Sequence, residues 1–150
     1  MKILDLSSDA DTRRLGARLA QLLRAGDVVA LHGDLGAGKT TLARGLIQSR
    51  LGPDEDVPSP TYTLVQTYDF DGLPVWHFDL YRLETPEAVF ELGWDETPSG
   101  AALIEWPERA GRHLPTLRLD VFLEISGEGR RARLEARGEG WQERLDEHFG

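Results

Sequence analysis

The stretch that decides the fold is Gly33-Asp34-Leu35-Gly36-Ala37-Gly38-Lys39-Thr40, here called the glycine-rich loop. It matches the pattern G-x-x-x-x-G-K-[ST], in which glycines let the backbone curl and point successive N–H groups at an anion. A short apolar run precedes it at residues 28–31, and a segment with helical character follows it from 39 to 51. A buried strand, a glycine turn and a helix in this order predict the opening of an α/β fold.

The loop offers a chemical group for each part of a polyphosphate. The following helix would direct the positive end of its dipole at the anion. Lys39 can reach the β- and γ-phosphates, and the Thr40 hydroxyl can take one ligand position of Mg²⁺. A glycine turn that merely precedes a helix is the alternative, but the apolar strand before the loop favours a phosphate site. The predicted nucleotide contacts in this part of the chain are Asp34, Leu35, Gly36, Ala37, Gly38, Lys39, Thr40 and Thr41.

The scarcity of lysine indicates which nucleotide to expect. GTPases with this type of loop usually carry an Asn-Lys-x-Asp motif that recognises the base. Lysine occurs in this chain only at Lys2 and Lys39, so that motif is absent. The sequence therefore predicts ATP, with Mg²⁺, as the ligand.

Length and composition exclude several classes of protein. A chain of 150 residues fits one domain, predicted over residues 1–150, and the absence of cysteine excludes disulfide frameworks and thiolate metal sites. The net charge of −9 repels nucleic acid, so we expect no direct DNA binding and any contact with RNA through a partner or a small local patch. No apolar run approaches the roughly 20 residues of a membrane span. The first residues turn acidic where a signal peptide would be apolar, which predicts a cytoplasmic protein.

Hydrophobic spacing predicts the remaining elements. The predicted helices are 12–25, 39–51, 85–92 and a polar one around 142–148. The predicted strands are 28–31, a hairpin over 61–69 and 74–79, 101–104, 117–125 and its antiparallel partner 131–136. Together they predict a P-loop NTPase-like α/β fold, in which a mixed sheet with a parallel core and antiparallel hairpins is flanked by few helices.

Two acids follow predicted strands and are candidates to share a magnesium ion with Thr40. Glu105 follows an uninterrupted apolar run, which would deliver it beside the glycine-rich loop. Asp79 follows a strand with mixed character. Either carboxylate could hold the metal directly, hold it through water, or orient an attacking water molecule. Exposed acids at strand ends are the alternative.

A hydroxyl-bearing segment, Ser59-Pro60-Thr61, lies in the loop after the first strand–helix unit. Nucleotide switches place such a loop there, ordered by the γ-phosphate and released on hydrolysis. A proline turn that only opens a strand explains the segment equally well.

Four motifs in one order resemble a single family: GDLGAGKTT (33–41), SPTYTLV (59–65), HFDLYRL (77–83) and IEWPER (104–109). They resemble the TsaE (YjeE) family of bacterial ATPases, which takes part in threonylcarbamoyladenosine modification of tRNA, and the likeness spans roughly residues 5–137. The resemblance implies slow ATP hydrolysis, stimulated by a complex of the TsaB and TsaD proteins. It also implies modification of adenosine 37 in tRNAs that read ANN codons, with tRNA reached indirectly through that complex.

The resemblance also implies roles for individual residues. Lys39 and Thr40 would bind phosphate and Mg²⁺, with Glu105 as the second metal ligand. Asp79 matches the acid of the H-x-D-L-Y-R-L motif, and Thr61 lies in the switch-like segment, which makes Lys39, Thr61 and Asp79 the predicted catalytic residues. The adenine contacts would come from the start of the first helix and from a late hairpin, where the matches are Asp9, Thr12 and Gly129.

Two other functions remain compatible with the residues. Compact proteins with such loops include small-molecule kinases, although the arginines at 109 and 112 offer little of the lid that those enzymes need. A nucleotide-gated binding module that needs no hydrolysis is the other alternative. The link to tRNA rests on the family resemblance alone.

Overall fold

A computed structural model describes residues 1–149. Within them the helices are α1 (Asp9–Ala20), α2 (Lys39–Leu51) and α3 (Glu139–Phe149). The strands are β1 (Lys2–Leu6), β2 (Val28–His32), β3 (Val65–Phe70), β4 (Leu73–Asp79), β5 (Ala101–Glu105), β6 (Arg118–Ser126) and β7 (Gly129–Arg137). Three 3₁₀ helices connect them, at Pro86–Leu92, Trp94–Ser99 and Pro107–His113.

The strands form one mixed sheet in the order β1-β7-β6-β2-β5-β4-β3. The central strands β4, β5, β2 and β6 run parallel, while β3, β7 and β1 pair antiparallel with their neighbours. This arrangement confirms the predicted α/β class and both hairpins. The edge strand β1 was not predicted. Its residues pair with β7, which lies more than a hundred positions away in the chain.

The helix α2 has the predicted bounds, but α1 begins and ends earlier than predicted. Its first turn starts at Asp9 because Ser8 caps it, with the Ser8 hydroxyl accepting a hydrogen bond from the Asp11 amide at 3.2 Å. The helix stops at Ala20 rather than at residue 25, and the chain then turns into β2. Leu22 and Leu23, which lie within the helix predicted over 12–25 but after the end of α1, are nevertheless buried.

The backbones of α1 and α2 touch on one face of the sheet. A Cβ atom added at Gly16 would lie 2.8 Å from the Leu46 nitrogen, and one at Gly45 would lie 2.5 Å from the Arg13 Cα. Both positions therefore require glycine for this packing. The close approach fixes where α2 begins relative to the sheet, and with it the position of the glycine-rich loop.

The sheet buries a different apolar cluster on each face. On one face α1, α2 and α3 cover the larger core, which includes Leu31, Leu103 and Leu119. On the other face the 3₁₀ helices cover a smaller cluster around Phe78 and Ile104, beside β4 and β5. The central strands are thus buried on both sides, as their continuous apolar runs indicated.

The structure differs from the predicted elements in several details. Tyr62 falls within the strand predicted over 61–69, but it lies in a turn before β3 and is 82% exposed. The first and last residues of the strand predicted over 117–125, Leu117 and Ile125, are both exposed, and Leu117 lies just before β6. The short helix predicted over 85–92 is present, as a 3₁₀ helix over Pro86–Leu92. Across residues 1–149, none of the helices combines the length and the apolar character that crossing a bilayer demands.

Candidate functional site

A cleft of about 330 Å³ opens at the carboxyl ends of β2, β5 and β4. These strands are parallel neighbours, so their ends meet at one edge of the sheet, which is where α/β proteins bind ligands. The predicted site residues that line the cleft are Asp9, Leu35, Gly36, Gly38, Lys39, Thr40, Thr41, Thr61, Asp79 and Glu105. Ser59, Trp106 and Arg130 complete the lining.

The glycine-rich loop turns directly into α2 at one wall of the cleft. Gly36 and Gly38 have φ angles of 81° and 107°, a conformation that side chains with a Cβ adopt rarely. Gly38 is the N-terminal cap of α2, and no side chain caps the helix. The first amides of a helix lack intrahelical acceptors, so the α2 N-terminus presents N–H donors and a positive dipole end to the cleft.

Lys39 lies in the cleft with its side chain largely covered. The ammonium donates a hydrogen bond to the Gly33 carbonyl and lies 3.4 Å from the centre of the Trp106 ring. Burial lowers the pKa of Lys39, and the carboxylates of Glu105, Glu108 and Asp79 oppose this shift. The Lys39 side chain thus lies between an aromatic face and the loop.

Trp106 reaches this position because of an unusual backbone conformation. Directly after Glu105 its φ and ψ are 58° and 51°, in the left-handed region that tryptophan seldom occupies. The ring also packs against Tyr81 at 4.9 Å between centroids. Trp106 was not among the site residues predicted from the sequence. Strained backbone at a cleft is a common feature of functional positions.

Both carboxylate oxygens of Glu105 have hydrogen-bond partners in the cleft. The Thr40 hydroxyl donates to this carboxylate, at 2.9 Å from Oε1 and 3.1 Å from Oε2, although the two residues are 65 positions apart. His77 Nε2 lies 2.6 Å from Oε2. In the sequence, His77 stands out only as the first residue of the HFDLYRL motif. The signal that could have found it is its position two residues before Asp79, on the same side of β4.

Asp79 is the register partner of Glu105 on the next strand, so both carboxylates face the same cleft. Its Oδ1 accepts a hydrogen bond from the Tyr81 amide at 3.0 Å, and its Oδ2 accepts one from the Thr61 hydroxyl at 3.3 Å. The Ser59 and Thr61 hydroxyls are 2.7 Å apart. The structure thus links the hydroxyl-bearing loop to Asp79, which the sequence left open.

Four predicted nucleotide residues do not line the cleft. Ala37 is buried in the core, and Asp34 is exposed on the outside of the loop. Thr12 is buried behind the loop, where its methyl group would be 3.6 Å from a Cβ at Gly38. Gly129 lies against the Leu6 carbonyl, a position without room for a Cβ.

Arg130 lines the cleft but was not among the site residues predicted from the sequence. Arg130 extends from the start of β7 to the glycine-rich loop, where its guanidinium donates to the Gly36 carbonyl at 3.0 Å. Sequence spacing could not reveal this contact, because it joins segments 94 positions apart.

The fold and this cleft define an α/β protein of the P-loop NTPase type. A family model described as "Threonylcarbamoyl adenosine biosynthesis protein TsaE" matches residues 6–133. The chain belongs to the TsaE family, and this confirms the family resemblance of the sequence motifs.

Individual relatives and a solved structure agree with this assignment. The TsaE protein of Rickettsia felis, described as a tRNA threonylcarbamoyladenosine biosynthesis protein, is 41% identical over 130 residues, covering 86% of this chain and 76% of the relative. A Nostoc protein with the same description is 41% identical over 131 residues, covering 84% and 80%. The crystal structure of Bacillus subtilis YdiB superposes with a TM-score of 0.81 at 28% identity, covering 99% of this chain and 95% of that one.

Proposed function

We propose that this protein binds ATP with Mg²⁺ in the cleft and hydrolyses it slowly in support of threonylcarbamoyladenosine modification of tRNA. The proposal rests on one observation: three functional groups lie together at the N-terminus of α2. The Lys39 ammonium, the Thr40 hydroxyl and the Glu105 carboxylate all line one cleft. Together with the free amides of the helix, they supply the donors, the cation and the metal ligand that a nucleoside triphosphate needs.

The donor set fits magnesium. Mg²⁺ prefers hard oxygen ligands and is usually held by one or two protein groups together with phosphates and water. The Thr40 hydroxyl and the Glu105 carboxylate already touch each other and would hold the ion from the protein side. Among residues 1–149 there is no group of three or more histidine and acidic side chains that could hold a metal by itself. When bound, the ion would offset the negative charge of the β- and γ-phosphates.

Asp79 is the residue best placed to orient an attacking water molecule. It lies in the same cleft as Glu105, and two hydrogen bonds fix its carboxylate. Since the hydroxyl-bearing loop contacts Asp79 through Thr61, order in that loop and the position of the catalytic carboxylate are coupled. We propose that a partner protein stimulates turnover by ordering this loop and that turnover is slow in its absence.

The partners follow from the family assignment. We propose that the protein acts with a TsaB–TsaD complex and that ATP turnover resets this complex between rounds of modification at adenosine 37 of tRNAs reading ANN codons. Contact with tRNA would then be indirect, which agrees with the net charge of −9.

Reconstituted tRNA modification tests the proposal. The modified nucleoside and free phosphate are followed together, with and without this protein, and with variants Asp79→Asn and Asp95→Asn. Asp95 is an exposed aspartate in a 3₁₀ helix and serves as the matched control. We expect modification and partner-stimulated phosphate release to require the protein and to be lost in Asp79→Asn only.

Each of the other outcomes identifies a different function. Modification that survives in Asp79→Asn while ATP still binds would show that nucleotide binding suffices. Transfer of the γ-phosphate to a small acceptor, instead of its release, would identify a kinase. Equally fast turnover with and without the partner complex would contradict the proposed stimulation.

A further inference from the structure

Arg130 is a cation of the cleft to which the proposed function gives no role. It is the second residue of β7, and its Nη1 and Nη2 atoms donate to the carbonyls of Gly129 and Gly36 at 2.9 Å and 3.0 Å. Its Nε atom is buried and has no hydrogen-bond acceptor within the described residues 1–149. The hydrogen-bonding capacity of this guanidinium is therefore not fully used within the protein, and its charge is available to an anion that binds in the cleft.

The sheet order places Arg130 away from the acids. Strands β6 and β7 lie on one side of β2, whereas β5 and β4, which carry Glu105 and Asp79, lie on the other side. The glycine-rich loop follows β2 and lies between the two groups. Arg130 therefore approaches a bound nucleotide from the side opposite the proposed metal position.

The charges of the cleft favour an anion next to Arg130. Three acids line it: Glu105 and Asp79 are on the side assigned to metal and water, and Asp9, the first residue of α1, is the third. The two cations of the lining, Lys39 and Arg130, both donate hydrogen bonds to carbonyls of the loop. Since Lys39 suits the β- and γ-phosphates, the phosphates nearer the nucleoside remain for Arg130.

We infer that Arg130 is a nucleotide-binding residue that contacts the phosphates common to ATP and ADP, not the γ-phosphate. The inference rests on the proposed function, since it assigns a further contact within the same cleft. The guanidinium forms charge-assisted hydrogen bonds to the phosphate oxygens while Nη2 keeps the Gly36 carbonyl in place. Arg130 thereby joins the late hairpin to the loop through the ligand.

The neighbouring residue provides a matched control. Arg131 is exposed on the opposite face of β7 and pairs with Asp5 at 3.2 Å, outside the cleft. The variants Arg130→Gln and Arg131→Gln change the charge equally at adjacent positions. Arg130→Lys retains the charge but removes the forked geometry, and Arg130→Gln retains a donor for the Gly36 carbonyl.

The experiment measures the affinities of ATP, ADP and inorganic tripolyphosphate by calorimetry, and phosphate release at saturating ATP. We expect Arg130→Gln to weaken all three ligands by a similar factor of about ten or more, and Arg130→Lys to restore part of the loss. Arg131→Gln should bind all three ligands, and release phosphate at saturating ATP, like the wild type. The thermal midpoint without ligand checks that each variant is folded.

Several results would overturn the inference. Unchanged affinities in folded Arg130→Gln would show that the residue only fastens the loop. A loss confined to ATP would place the contact at the γ-phosphate, and a loss for ATP and ADP without tripolyphosphate would place it at the ribose or base. If the wild type itself binds none of the three, the proposed function fails, and this inference fails with it.

Discussion

The Nε2 atom of His77 lies 2.6 Å from Oε2 of Glu105, and both side chains are buried between β4 and β5. The Nδ1 atom of the same ring has no partner within residues 1–149. With Nε2 as the donor, the imidazole holds one oxygen of the carboxylate. The Thr40 hydroxyl contacts both oxygens of the same carboxylate. Because the hydrogen bond from His77 fixes the direction of this carboxylate, His77 orients the proposed magnesium ligand.

Replacing His77 with leucine should raise the magnesium concentration needed for half-maximal ATP turnover. Residues that orient metal ligands typically change metal affinity by about 10- to 100-fold. A magnesium titration of phosphate release measures the effect, with His148→Leu, an exposed histidine near the end of α3, as the control. An unchanged magnesium requirement in a folded His77→Leu protein would show that Glu105 needs no such support.

Replacing Lys39 with alanine should weaken ATP binding by more than about tenfold, since it removes a charge-assisted contact to phosphate. Lys2→Ala is the natural control, because it removes the only other lysine, which lies near Asp146 far from the cleft. Calorimetry gives the two affinities, and circular dichroism checks the fold. Equal ATP affinity in the two variants would rule out a phosphate-binding role for the glycine-rich loop.

Acid should destabilise the protein partly through Asp120, a buried residue of β6. Burial alone would raise its pKa, but hydrogen bonds from His32, Arg118 and Arg137 outweigh burial and hold the pKa of Asp120 well below its usual range. A carboxyl group with a lowered pKa in the folded state contributes stability above its unfolded pKa of about 3.9. This contribution is lost as the pH falls from there towards the folded value.

Urea denaturation at several pH values between 7 and 2.5 measures this contribution. The wild type should be more stable than Asp120→Asn at pH 7, and the difference should shrink below about pH 4. Asp5→Asn, at an exposed position of β1, should show no such convergence. A difference that stays constant with pH would show that Asp120 acts through packing rather than through its charge.

Breaking the buried pair of Arg144 and Asp27 should strongly destabilise the fold. The Arg144 guanidinium donates to both carboxylate oxygens of Asp27, at 2.7 Å and 3.0 Å, and also to the Leu22 carbonyl. Arg144→Leu leaves the Asp27 charge buried and unpaired, so we expect a loss of about 3 kcal/mol in the free energy of unfolding. Urea denaturation provides the measurement.

A second variant separates charge from packing in this pair. Adding Asp27→Asn to Arg144→Leu removes the unpaired charge, so the double variant should recover part of the lost stability. Arg112→Leu, at an exposed arginine, should change stability little. A double variant less stable than Arg144→Leu alone would contradict the explanation.

The parts of the fold that depend on local order could be predicted from the sequence. The glycine-rich loop and α2 follow from glycine spacing and from the apolar run before them. The acids Asp79 and Glu105 could be proposed as neighbours because parallel strands end at one edge. The strand β1 could not be predicted, since it is a short edge strand whose existence depends on pairing with β7.

The sequence by itself determined the class of the protein, the glycine-rich loop of the cleft and the family to which the chain belongs. Each of these depends on short motifs of residues that are adjacent in the chain. Only the tertiary structure decided that His77 supports Glu105, that Trp106 lies against Lys39 and that Arg130 reaches Gly36. The physical reason is that these contacts depend on strand order, on one left-handed residue and on a hairpin that returns to the same edge. None of these is set by the spacing of residues along the chain.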